Sequence, residues 1–158
     1  MKPKFTFVAA SIVVTGLVTA SPALALSADD TFLPPVQMQG DVSYVTGGVG
    51  EDEATAFKDS ARQFPVELLF AERAQPRDEY LANVQVTIRD SSGVAVLDTT
   101  TNGPYLLAKL PAGKYAVEAN YNGALKHQML NVHRGTHQRK VFVWTDAEAN
   151  DSVLSSAD

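Results

Sequence analysis

In two runs, 84–89 and 115–121, the apolar side chains recur at every second position. Val84, Val86 and Ile88 alternate with Gln85, Thr87 and Arg89, and Tyr115, Val117, Ala119 and Tyr121 alternate with Ala116, Glu118 and Asn120. A period of two places alternate side chains on opposite faces of an extended chain, so these runs predict half-buried β-strands. The same period appears in Val66, Leu68 and Phe70, and again where Val141 and Val143 alternate with Phe142 and Trp144. Turn chemistry separates the runs: Asp90-Ser91-Ser92-Gly93, Asn102-Gly103-Pro104, Pro111-Ala112-Gly113, Asn122-Gly123 and Arg134-Gly135. Glycine takes positive φ in such turns without a steric cost, and Asn-Gly favours a tight hairpin. Short strands between frequent turns predict a mainly β fold, an antiparallel sandwich. About seven strands are expected, at 66–72, 82–90, 94–99, 104–110, 114–122, 124–133 and 138–144.

One short helix is expected ahead of them, at 51–64. Ala54, Phe57, Ala61 and Phe64 make a single apolar stripe at helical spacing. Glu51, Asp52 and Glu53 complement the helix dipole at its start, and Pro65 ends it by forcing the preceding residue out of the helical region. The segment 26–40, with its Pro34-Pro35 pair, reads as a linker, 41–65 as a Gly-rich segment plus helix, and 66–145 as the sandwich domain. The acidic, small-residue run 146–158 reads as a disordered tail.

Residues 1–25 read as a signal peptide. Lys2 and Lys4 precede an uncharged apolar run, and Ala23-Leu24-Ala25 offers the small residues of a cleavage site, placing the cut after Ala25. The apolar run is shorter than the roughly 20 residues that span a bilayer, so no membrane span is expected after cleavage. The expected location is the periplasm or the exterior. With no Cys in the chain, a lipid-modified N-terminus is excluded and stability must come from a core rather than from disulfides. Removing Lys2 and Lys4 from the 13 basic residues, against 18 acidic ones, leaves the mature chain at −7. That balance weighs against nucleic acid, whose binding needs clustered Lys and Arg.

The run NVQVTIRDSSGVAVLDTTTNGPYLLAKLPAGKYAVEANYNG orders a strand, a D-x-x-G turn, a strand, a G-P-Y entry and an L-P-A-G-K-Y step. Over 84–143 this order resembles the carboxypeptidase regulatory-like domain, a transthyretin-like β-sandwich, and small exported bacterial proteins that carry it. The resemblance implies a packing role for the LPAGKY step, with Leu110 closing a strand, Pro111 and Gly113 turning the chain and Tyr115 entering the core. Transthyretin-like folds can also host ureide hydrolysis. That enzyme family ends in Tyr-Arg-Gly-Ser where this chain ends in Ser-Ser-Ala-Asp, and its histidine and arginine motifs are unmatched, so no catalytic residue is carried over.

The motifs that could carry chemistry are weak. Thr46–Glu53 reads TGGVGEDE, glycines before a helix, but three acids stand where a phosphate loop needs Gly-Lys-Ser/Thr. His127, His133 and His137 are the only histidines; the last two flank turn residues, and zinc wants three or four convergent ligands. No G-x-S-x-G elbow is present. Neither metal nor cofactor is expected. If Val141 and Val143 face the core, Lys140, Phe142 and Trp144 form an outer face that could stack on sugars or anchor a protein. The competing expectation is that this face is buried under the helix or another strand. The expected function is an exported non-catalytic binding or accessory module for a protein or glycan of the cell envelope. The alternatives are a carbohydrate-binding module using exposed aromatics and, least favoured, a small hydrolase.

Overall fold

A computed structural model describes residues 33–145 together with Glu148. The signal-peptide reading of 1–25, the first part of the linker (26–32) and all of the tail but Glu148 lie outside the described residues. The fold is mainly β: two sheets packed face to face and one short helix. In chain order the elements are β1 Gln37–Gln39, β2 Val42–Gly47, α1 Glu51–Ser60, a 3-10 turn Ala61–Gln63, β3 Val66–Arg73 and β4 Glu79–Tyr80. Then come β5 Gln85–Asp90, β6 Ala95–Thr100, β7 Tyr105–Lys109, β8 Gly113–Tyr121, β9 Ala124–Val132 and β10 Gln138–Thr145. All seven expected strands are present. Three more are added: the short β4, and β1 and the six-residue β2, which lie in the segments read as linker and Gly-rich lead-in.

The first sheet runs β1-β2-β7-β3-β10, with β4 beside the far half of β3; the second runs β6-β5-β8-β9. One pairing departs from the antiparallel expectation. β10 lies parallel to β3, from Gln138 opposite Val66 to Thr145 opposite Arg73. The reason is the connection between sheets. The chain leaves the second sheet at Val132 and enters the first beside Pro65, where β3 also begins, and Gln138 N–H donates to Pro65 O at 2.8 Å. Both strands therefore start at the same end.

Two hydrophobic clusters result. Between the sheets, Val42, Tyr44, Val66, Leu68, Phe70, Leu106, Phe142 and Trp144 meet Val86, Ile88, Leu97, Val117, Ala119, Leu130 and Val132. On the outer face of the first sheet, Phe57, Ala61 and Phe64 pack on Val45, Leu69, Tyr105 and Leu107, with Ala54 at the margin. The expected apolar stripe is thus the docking face of α1, and the helix lies on the sandwich. This second cover explains why β3 is buried at six successive positions, Val66 through Ala71, rather than alternately.

The TGGVGEDE segment joins sheet to helix. Gly48 adopts φ +93, and a Cβ there would overlap the Tyr105 ring. Its N–H donates to Glu53 Oε1 at 3.0 Å, so an acid of the helix's first turn takes the donor that a phosphate loop would offer to its ligand.

The open sides of the sandwich are bridged by side chains. Between β9 and β10, Gln128 Nε2 donates to Val141 O at 2.7 Å, Gln138 Nε2 donates to Asn131 O, and Trp144 Nε1 donates to Ala124 O at 2.9 Å. On the opposite side Asp98 N–H donates to Gln39 Oε1 at 2.9 Å. These bonds occupy backbone groups on strand edges that would otherwise offer a template for pairing with another chain.

Candidate functional site

The face expected to carry Lys140, Phe142 and Trp144 points the other way. Phe142 and Trp144 are both 0% exposed, while Val141 is 41% exposed. The even-numbered side chains of β10 face inward because its pairing with β3 sets Phe142 next to Phe70, with ring centroids 5.6 Å apart. Trp144 closes the same aromatic cluster, 6.2 Å from Phe142 and 5.9 Å from Tyr121. Burial of this face is therefore real, but its cover is the opposing sheet and not the helix. Lys140 is half-buried at the gap between β9 and β10, beside Met129 and Gln138.

A broad concavity lies at the end of the sandwich where β3, β8 and β10 begin. It is an open cleft of about 880 Å³. Three segments build it: Arg62 through Pro65 after the helix, Leu110 through Ala112 from the LPAGKY step, and Val132 through His137 between the sheets. Proline positions its walls, since Pro65 ends the helical turn and Pro111 turns β7 into β8. Gly135 permits the third wall, taking φ +73 in a turn closed by Thr136 N–H to His133 O at 3.3 Å.

Its charge is one-sided. Among the described residues Arg62, His133, Arg134 and His137 line the cleft and no Asp or Glu does, although His137 is paired with Glu67 behind it at 3.1 Å. Among the described residues neither arginine makes an ion pair. The aliphatic floor is Pro65, Pro111 and Ala112; Leu110 and Val132 also border the cleft but are only 5% and 3% exposed. The aromatic residue in the lining is Phe64, itself only 6% exposed.

Two devices hold these walls. Tyr115, in the core, sends its hydroxyl back to donate to Pro111 O at 2.9 Å, which gives the LPAGKY step the packing role expected of it. Burial pushes the Tyr115 hydroxyl above the usual tyrosine range, and the nearby Asp90 charge adds to this. The second device is Glu67, an acid buried among apolar neighbours on β3. Its Oε2 lies 3.1 Å from His137 Nε2 and its Oε1 3.2 Å from Arg139 Nε. His137 Nδ1 lies 2.8 Å from Phe64 O, so this ring ties the inter-sheet loop to both the helix exit and β3.

The histidines do not converge. His133 and His137 bracket the inter-sheet loop, while His127 sits on the outer face of the second sheet, 3.7 Å from Glu118. Among the described residues no three His, Asp, Glu or Cys side chains gather where a metal could sit. The Thr136 hydroxyl in the cleft is committed to His133 O at 3.0 Å. What this arrangement can do is bind: guanidinium groups over an aliphatic floor suit an anion with an apolar part.

Sequence reasoning treated Arg134 as turn chemistry and did not single out Arg62 or Glu67. Glu67 carried a usable signal, an acid inside the apolar run VELLFAE. Exposed arginines far apart in sequence carried none. In comparisons with known proteins, no family model matches the chain and no curated protein is significantly similar to it.

Proposed function

We propose that the chain is an exported, non-catalytic β-sandwich that serves as a binding or accessory module of the cell envelope, and that its partner seats in the end cleft. The observation that carries this reading is the collection of Arg62, Arg134, His133 and His137 in one concave site with no carboxylate among its described lining residues, on a chain of net charge −5. Export rests on the charged start, apolar run and small-residue step of 1–25. The order of strands and turns over 84–143 supports placing the domain with carboxypeptidase regulatory-like modules. Ser92 Oγ donates to Asp90 at 2.6 Å inside an exposed turn, where Asp90 also accepts two backbone N–H groups, so this hydroxyl has a turn-closing role. The carbohydrate-binding alternative loses Phe142 and Trp144, the aromatics on which it was built.

Affinity capture from an envelope extract tests the proposal, comparing the wild-type chain with Arg62→Glu/Arg134→Glu. A component retained by the wild type and lost from the double variant is the expected outcome. Identical retention by both proteins would remove the cleft from the function.

A further inference from the structure

We infer that the cleft takes an acidic peptide segment with an aliphatic side chain between its carboxylates. This inference rests on the cleft being the binding surface, and it adds the chemistry of the occupant.

Charge makes the first argument. The ion pairs among the described residues engage Lys126, His127, His137 and Arg139, which leaves Arg62 and Arg134 with their guanidinium groups uncommitted. A guanidinium fork accepts a carboxylate in bidentate fashion, and two forks in one cleft favour a ligand with more than one anionic group. The floor makes the second. Pro65, Pro111 and Ala112 present accessible carbon and no charge, while Leu110 and Val132 are nearly buried. A small inorganic anion has no use for such a floor, whereas a Leu or Val side chain between two acids would be covered by it.

The same lining decides against an anionic glycan. Sugar rings are held by stacking on exposed aromatic faces, and Phe64 is turned into the helix-side cluster. Size agrees with a peptide, since 880 Å³ lies toward the top of the roughly 300–1,000 Å³ range of small-ligand pockets and leaves room for several residues. Rigidity agrees too. Gln138 N–H to Pro65 O, His137 to Phe64 O and Tyr115 to Pro111 O fix each wall before binding, which lowers the ordering cost on the protein side.

Fluorescence anisotropy with labelled synthetic peptides tests this on the purified chain. The peptide EDLVDE should bind, with affinity falling about tenfold or more in Arg62→Glu/Arg134→Glu and falling again as salt rises. The neutral peptide QNLVNQ should not bind, and EDSSDE should bind several-fold more weakly than EDLVDE. Both arginines are exposed, so the double variant keeps the fold, and its denaturation midpoint verifies this. Equal affinities for EDSSDE and EDLVDE would overturn the aliphatic requirement. If polygalacturonate binds through Arg62 and Arg134 while EDLVDE does not, the occupant is wrong and the cleft stands. If no ligand shows binding that depends on these arginines, both the occupant and the cleft reading fall.

Discussion

Asp90 shows how much one side chain can organise. Its Oδ1 accepts the Ser92 hydroxyl at 2.6 Å, the Ser92 N–H at 2.9 Å and the Val94 N–H at 3.1 Å, which closes the turn between β5 and β6. Led by the Ser92 hydroxyl, these donors hold its carboxyl below the usual aspartate range. A carboxyl depressed in the folded state contributes stability above its unfolded pKa of about 3.9 and loses it as pH falls through the lower folded value. Carboxyl-carbon NMR should therefore find Asp90 titrating below that value, and Ser92→Ala should move its midpoint upward. A midpoint that ignores Ser92→Ala would mean the turn is open in solution. The D-x-x-G signature made this turn legible in the sequence. Arg62 and Arg134 were not legible, because a solvent-facing arginine looks the same in a binding cleft as on any surface.

At the scale of elements, the helix is the best-read piece and β10 the most misread. The stripe Ala54, Phe57, Ala61, Phe64 lies on the sheet as its spacing required, and only the last turn tightens to 3-10 geometry before Pro65. Phe57 is 0% exposed and stacks on Tyr105 at 5.7 Å. Phe57→Ala should cost about 3 kcal/mol or more in chemical denaturation. Because Phe57 lies outside the inter-sheet core, hydrogen exchange should speed up in 51–63 well before it does in β5 and β8. Unchanged exchange in 51–63 would contradict helix docking. For β10, alternation separates Val141 and Val143 from Phe142 and Trp144 but both sets are apolar, so the pattern has two solutions. Pairing with β3 selects one, since the larger aromatic surface gains more from burial against the second sheet than two valines would.

Across the whole molecule, Trp144 reports on whether the two sheets are closed. It is the only tryptophan in the chain, fully buried between sheets and bonded through its indole N–H to Ala124 O. Acrylamide should quench its emission weakly in the native protein and strongly in denaturant, with the change following global unfolding. Strong quenching of the native protein would mean that the β9–β10 side opens. By itself the sequence determined the fold class and the positions of seven of the strands and of the helix, because periodicity and turn chemistry are local properties of the chain. The inner face of β10, its parallel pairing with β3 and the cationic cleft were decided by the tertiary structure alone. Each depends on residues brought together from distant segments, such as Glu67 with His137 or Arg62 with Arg134, and no local pattern encodes which distant segments meet.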